Sequence, residues 1–476
     1  MTQLCEANLK SLPASVQAPG YDRTAVHPGI LHVGTGNFHR AHQAVYTDDI
    51  LGEDPRWGII GASLQSKVAR SRLQPQDYLY TLCEREDEGH SLRVIGSIQD
   101  MLTLQQQRPE LIEAIARPEI KVITLTITEK GYCHTSEGRL DDSNPSVKQD
   151  LQQSDQPGTA PGVILAGLAR RRNSGGGPIS IISCDNLQGN GDVTRQVVLD
   201  FAERLDPGLA SWCRDHVTFP SSMVDRIVPQ TTTDDIDRLA TSGLDDQAPV
   251  ICEPFRQWVI EDNFAAARPP WEAAGAELVR NVAGFEKAKL RLLNATHSAL
   301  AYLGMLCGYD TIHEAMADKA LAGFAHRLMT AEIAPLLTVP AELNLDTYID
   351  SILQRFANPA IAYRCAQVAT DGSQKLPVRI FPSLQASLTA GRSPDGLAIV
   401  VAAWLQSLTS PRIAATFSDP VLANEDSLSA EMTLPGRTDL LGELAVDDSA
   451  IQHIQQAWTQ LQQGDPRRLL TPTILW

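Results

Sequence analysis

The chain has 476 residues, 43% of them hydrophobic and 20% charged, more than one ordinary core holds, so two domains are expected. With 57 acidic against 40 basic residues the formal net charge is −17, a surface that repels nucleic acid and anionic membranes and argues against either as a main partner. The N-terminus reads as no secretory signal, no run of about 18 apolar residues offers a membrane span, and the eight cysteines are scattered without a C-x-x-C pair, so a cytoplasmic chain with reduced thiols is expected.

In chain order, the first informative stretch is "GILHVGTGNFHRAHQAVYTDDIL", Gly29 to Leu51. An apolar strand runs into Gly34-Thr35-Gly36 and then into a helix, the context of a dinucleotide-binding turn. Gly34 suits the tight turn, and Gly36 suits close approach of a pyrophosphate. The third glycine of G-x-G-x-x-G is replaced by His39, and Arg40 adds a cation beside the expected phosphate position. A strand–helix turn without a ligand fits the same residues.

The next strand, within "WGIIGASLQSKVAR" (Trp57 to Arg70), lacks the acid that holds ribose hydroxyls in NAD enzymes. Lys67 and Arg70 suit either a 2′-phosphate or a solvated helix face, which leaves NAD against NADP open. Further strands are expected in "SLRVIGSI" (Ser91 to Ile98), "IKVITLTIT" (Ile120 to Thr128) and "PISIISCDN" (Pro178 to Asn186). Helical patterns such as "RPELIEAIARPE" and "GVILAGLARRR" separate them, so an α/β fold with a parallel sheet is expected. Residues 136–162 and 171–178 read as loops. Asn186, at the carboxyl end of its strand, is a candidate polar contact or a turn residue.

After about residue 285 helical patterns dominate, and "GLAIVVAAWL" (Gly396 to Leu405) suits a buried helix. In "EKAKLRLLNATHSALAYLG", α-helical geometry places Asn294 about 140° and His297 about 80° around from Lys289, all on one side. Polar groups on an otherwise apolar helix call for a ligand or a water-filled cleft, although an ordinary amphipathic helix has the same pattern.

Together these segments resemble the mannitol dehydrogenase family, the long-chain polyol-specific dehydrogenases. The resemblance spans nearly the whole chain: "GTGNFHRAHQA", "TITEKGY", "SCDNL", "VTFPSSMVDRIVP", "CEPFRQWVIEDNF" and "KLRLLNATHSALAYLG" follow in family order. It implies a Rossmann-type N-terminal domain, residues 1–285, and a mostly α-helical C-terminal domain, residues 286–476, with a cleft between them. It implies a nicotinamide cofactor, NAD with NADP still open, and no metal. Gly34, Gly36, Asn37, Phe38 and Arg40 are the implied cofactor-turn residues. Lys289 matches the general base, Asn186 and Asn294 the asparagines that hydrogen-bond the reacting oxygen, and His297, Asp225 and Lys375 substrate-site residues. Glu286 matches an acid that relays protons to solvent.

Such chemistry removes a hydroxyl proton while a hydride leaves carbon. The base must therefore be a neutral amine, its pKa lowered from about 10.4 by burial or nearby positive charge. The block "QVATDGSQKLPVR" (Gln367 to Arg379) resembles the family's fructuronate reductases, which interconvert D-mannonate and D-fructuronate. Gln367 stands where mannitol dehydrogenases are expected to carry arginine. Arg364 and Arg379 are further cations there, either of them a surface charge or a partner for a substrate carboxylate. The implied partner is thus a small sugar acid or a polyol such as mannitol or arabinitol. No subunit contact is implied, and a monomer fits. A cofactor-binding protein without turnover is the remaining alternative, disfavoured by the intact Lys289, Asn186, Asn294 and His297 set.

Overall fold

Six parallel strands form the main sheet of the first of two compact units, Met1–Ala283 and Gly284–Trp476. The computed structural model describes residues 1–86, 89–361, 363–423, 428 and 433–470. The strands are β1 (Pro28–Val33), β2 (Gly58–Ser63), β3 (Ile98–Thr103), β4 (Val122–Leu125), β5 (Ile179–Ser183) and β6 (Val217–Thr218). Their spatial order is β3-β2-β1-β4-β5-β6, all parallel, the doubly wound order of a Rossmann-type domain.

Side-chain alternation explains why these strands read as continuous apolar runs. Leu31, Ile60 and Ile181 enter one buried cluster, whereas Ile30, Ile59 and Ile182 enter another. Each face of the sheet therefore carries its own core, as parallel sheets covered on both sides require. Ligands of such sheets bind where the strand order reverses, outside the carboxyl ends. Here that point lies between β1 and β4, where Val33 pairs with Leu125. Gly34, Thr126 and, one strand further, Asp185 and Asn186 all follow at this edge.

Three expectations are corrected. The stretch 91–98 is divided between two strands, Gly89–Ile95 in a smaller sheet and β3, because the chain turns at Gly96, whose carbonyl accepts from Arg23 Nε at 3.1 Å. The loop 136–162 contains a helix, Pro145–Gln152, capped by Asn144. Asp150 on this helix accepts from the Gly158 and Thr159 amides at 2.7 and 2.8 Å, which folds the following segment back. Within 171–178 the helix Ala160–Ser174 continues to Ser174. Arg171 is buried and donates to the carbonyls of Ile115, Arg117, Gly177 and Pro178, so it ties helix, strand entry and loop together.

The second unit is mostly α-helical around one large apolar cluster. The helix Asp395–Thr409 lies at its centre, with Leu397, Val400, Val401, Trp404 and Leu405 fully buried. The long helical patterns seen in the sequence are broken by caps. Asp318, for example, ends the helix Ile312–Ala317 and caps Lys319–Arg327 by accepting from the Ala320 amide at 2.8 Å.

Candidate active site

At the carboxyl end of β1, Gly34 adopts φ +105°, and a Cβ there would stand 2.0 Å from the Thr126 carbonyl oxygen. Only glycine satisfies both conditions. Gly36 differs: it is exposed, and a Cβ there would meet nothing nearer than the Gly34 oxygen at 3.8 Å. The space over the turn is open, and the residues present fit a pyrophosphate. Among the described residues no group of three or more His, Cys, Asp or Glu side chains could hold a metal.

Arg40 corrects the expectation of a phosphate-side cation. It is buried, donating through Nη1 to the Ala248 carbonyl and through Nη2 to Asn37 Oδ1 at 2.7 Å, with its guanidinium over the Tyr80 ring. Asn37 reaches Thr231 Oγ1 through Nδ2 at 3.3 Å, and Phe38 stacks on His42. Thus Arg40 and Asn37 brace the turn from inside, because the five-residue helix Asn37–Ala41 packs that side against the protein. His39, in the place of the third glycine, stacks on His32 of β1 with ring centroids 3.4 Å apart. Burial drives the His32 pKa down to about 3 and His39 well below its ordinary value, so both are neutral.

His32 connects the turn to β4. Thr126 Oγ1 donates its one proton to the Gly34 carbonyl at 2.7 Å, so it must accept from His32 Nε2, 2.9 Å away. That leaves His32 Nδ1 to accept from Thr124 Oγ1 at 2.8 Å. A histidine inside an apolar strand is the sequence signal for this arrangement.

At β2 no acid follows Ser63, whose hydroxyl donates to the Ser66 carbonyl. Arg70 donates to the Met101 carbonyl at 2.8 Å, whereas Lys67 is exposed. The structure thus separates two cations that look alike in sequence.

Beyond β5, Asp185 is half-buried and Asn186 exposed. Asp185 accepts from the Ile127 and Thr128 amides at 2.9 and 3.0 Å and from the Tyr132 hydroxyl at 2.7 Å. Burial pushes its carboxyl up while these three donors oppose the shift. Asn190 is fully buried; its Nδ2 donates to the Asp185 and Ser222 carbonyls at 3.1 and 2.7 Å, and its Oδ1 accepts from the Ser222 amide. It therefore ties the segment bearing Asn186 to the strand Ser222–Asp225, which ends in the buried Asp225. Arg226, the next residue, is also buried, donating to the Glu253 and Ala41 carbonyls and pairing with Glu84. The arginine of the "VDR" block is a brace between segments.

In the second unit, Glu286 lies half-buried on the helix Ala283–Ala288. Lys289 to Asn294 form a π-helical turn, after which an α-helix runs over Ala295–Cys307. Lys289 is 7% exposed, a rare environment for lysine. Asn294 and His297 are half-buried, and the His297 ring packs against Phe356 and Tyr363, 4.8 and 5.2 Å between centroids.

The helix Gly372–Arg379 brings two cations to this region. Arg379 Nη1 donates to Ser298 Oγ at 3.0 Å and to the Asn294 carbonyl at 3.4 Å, and Ser298 Oγ donates to that same carbonyl at 3.1 Å. Burial lowers the Arg379 pKa to about 10, beside Tyr302 and Tyr363, whose hydroxyls burial keeps protonated. Lys375 Nζ donates to the Val368 and Thr370 carbonyls, at 3.3 Å in the first case. Its pKa is lowered to about 8, first by burial and then by Arg379, against the weaker pull of Asp371 and Asp419. Arg364 and Gln367 are exposed. Asn294, His297, Lys375 and Arg379 thus belong to one neighbourhood linked through Ser298 and Tyr363. Arg379 and Asp185 were legible in sequence only as one charge among several.

Comparison with known proteins agrees with this architecture. Residues 28–273 match the mannitol dehydrogenase Rossmann domain and residues 281–462 the mannitol dehydrogenase C-terminal domain. A mannitol 2-dehydrogenase of Cereibacter sphaeroides is 40% identical over 446 residues, 91% of this chain and 94% of that protein. The D-mannonate oxidoreductase of Escherichia coli (strain K12) is 40% identical over 441 residues, 90% of each. Pseudomonas fluorescens mannitol 2-dehydrogenase, solved as a ternary complex with NAD and D-mannitol, superimposes with a TM-score of 0.88 at 37% identity, covering 98% of this chain and 99% of that one. With both domain models matched in order, the chain belongs to the mannitol dehydrogenase family of oxidoreductases.

Proposed function

We propose that the chain interconverts D-mannonate and D-fructuronate with NAD or NADP, residues 1–285 binding the cofactor and contributing Asn186 and Asp225, and residues 286–476 supplying the base and the other substrate contacts. The observation that carries the substrate is Arg379: a guanidinium largely out of water whose hydrogen bonds, through Nη1, go to a hydroxyl and a carbonyl, and which forms no ion pair with an acid among the described residues. A buried cation without a counter-ion is costly, and a substrate carboxylate would supply one. Lys375, titrating near 8, would add a second positive charge at neutral pH.

A nicotinamide cofactor bound at the glycine turn would supply the hydride acceptor. The chain's own residues handle the proton and the charge on oxygen. Lys289 takes the hydroxyl proton, a role that requires a neutral amine, and burial favours that form. Asn294 and Asn186 donate amide hydrogens to the oxygen as it becomes an alkoxide, the contribution of an oxyanion hole. His297, held between Phe356 and Tyr363, and Asp225 position substrate hydroxyls, Lys375 adds its charge beside the carboxylate, and Glu286 passes the proton on from Lys289 to water. Gly34, Gly36, Asn37 and Phe38 shape the cofactor turn, Arg40 bracing it from beneath.

A second reading, oxidation of a neutral polyol such as D-mannitol or D-arabinitol, is favoured by the likeness to the mannitol 2-dehydrogenases. The deciding experiment measures nicotinamide reduction with D-mannonate, D-mannitol and D-arabinitol, each with NAD and NADP. A kcat/KM for mannonate more than about tenfold above the others, roughly 1.4 kcal/mol of transition-state preference, is expected. A neutral polyol in first place would replace the sugar-acid reading with the second one.

A further inference from the structure

Thr128 has φ +63° and ψ 161°. A β-branched side chain in this region is strained, since it belongs almost entirely to glycine, and such strain persists only where the surroundings impose it. Here the imposing group is Asp185, whose carboxylate accepts from the amides of Ile127 and Thr128 and from the Tyr132 hydroxyl. The Thr128 carbonyl is in turn held by the Gly131 amide. On its other side the same loop is fastened to the glycine turn, through Thr126 Oγ1 and the Gly34 carbonyl.

We propose that Asp185 is a positioning residue: it clamps the strained 126–132 loop between the glycine turn and its own neighbour Asn186, and so sets the Asn186 amide against the cofactor turn. The sheet explains why one carboxylate can do this. Val33, Leu125 and Ser183 end adjacent strands in register, so their next residues share one edge. Asp185 spans two of these three ends directly, and Thr126 spans the remaining gap. The inference rests on the proposed role of Asn186 as a donor to the reacting oxygen.

In Asp185→Asn one acceptor oxygen becomes an NH2 that faces N–H donors, so at least one of the three bonds is lost. The expected result is a fall in kcat of about 100-fold, the scale of a small misplacement of a reacting group, with little change in the Kd for NADH measured by fluorescence. Amide exchange at Ile127 and Thr128 in the cofactor-free protein becomes faster. The decisive measurement is the cycle with Thr128→Gly, because glycine adopts the loop conformation without strain. The kcat loss caused by Asp185→Asn is at least about fivefold smaller in the Thr128→Gly background, as coupled residues require. An equal loss in both backgrounds, or wild-type kcat in Asp185→Asn, overturns the proposal. If Asp185→Asn does not fold, Tyr132→Phe removes one donor at nearly constant volume; a lowered kcat with unchanged KM supports the clamp, and wild-type kcat overturns it. Asn186→Ala separates the two levels. Full activity there refutes the role given to Asn186, whereas loss there with wild-type Asp185→Asn refutes only the clamp.

Discussion

Lys289 and Asn294 open and close a single π-helical turn. An α-helix would set them about 140° apart, but a π-turn is wound through i→i+5 hydrogen bonds and draws residues five apart toward one face. The chain thereby brings Lys289 and Asn294 closer than their spacing in a regular helix allows, and the Asn294 carbonyl at the end of the turn is held by Ser298 and Arg379. Deleting Arg291, which removes the extra residue of the turn, is expected to restore α-helical phase. Activity then falls by about 100-fold or more while far-ultraviolet circular dichroism keeps its helical signal; retained activity would show that the turn is incidental.

Lys289→Ala tests the base. Its expected kcat is lower by about 100- to 10,000-fold, the usual contribution of a positioned general base, while NADH binding followed by fluorescence changes less than about twofold. Near-normal turnover would remove Lys289 from the chemistry whichever substrate is used.

Gly34 and Gly36 are expected to respond oppositely to alanine. Gly34→Ala places a Cβ against the Thr126 carbonyl at φ +105°, and the strained backbone alone costs about 1–3 kcal/mol. Urea unfolding then shows a clear loss of stability. Gly36→Ala folds with near-wild-type stability, because nothing stands in its way, but weakens cofactor binding by intruding on the open space over the turn. Unchanged cofactor affinity in Gly36→Ala would place the pyrophosphate elsewhere.

Arg379→Met is expected to lower kcat/KM for D-mannonate by about 10- to 100-fold, the worth of a lost charged hydrogen bond of roughly 1.5–3 kcal/mol. Part of that loss reflects the freed Asn294 carbonyl and is shared by every substrate. The sugar-acid reading therefore requires a distinctly larger loss for mannonate than for mannitol. Equal losses would assign Arg379 to bracing Asn294 alone.

Lys375 gives the reading a pH signature. Its pKa near 8 means that the ammonium is present below about pH 8 and disappears above it. The KM for D-mannonate therefore rises above pH 8, by up to about tenfold per pH unit if the charge is essential, while the KM for mannitol changes less. Folding responds with the opposite sign. Because the folded pKa is depressed, the unfolded chain holds more protons between pH 8 and 10.5, so this group's destabilising effect is full below pH 8 and relieved as pH rises across that window. In Lys375→Met both slopes flatten, as read from KM profiles and urea unfolding at a series of pH values.

Much of this was already legible along the chain. The β-branched runs, their alternation with helical patterns and the Gly34-Thr35-Gly36 turn depend on local sterics and periodicity, which act within a few residues. Local pattern alone pointed to a parallel α/β first half, a helical second half and the candidate set Lys289, Asn294 and His297, and the family resemblance added the Rossmann-type order. Other features were decided only in three dimensions. Arg40 turns inward because its acceptor, the Ala248 carbonyl, lies 208 residues away. Asp185 meets the Thr128 amide across 57 residues, and Arg379 meets Ser298 across 81. Hydrogen bonds of such range leave no periodic trace, and the π-turn is a deviation in winding that residue propensities do not encode. Which charges brace the fold was therefore decided by packing, because only the folded chain determines where each buried donor finds its acceptor.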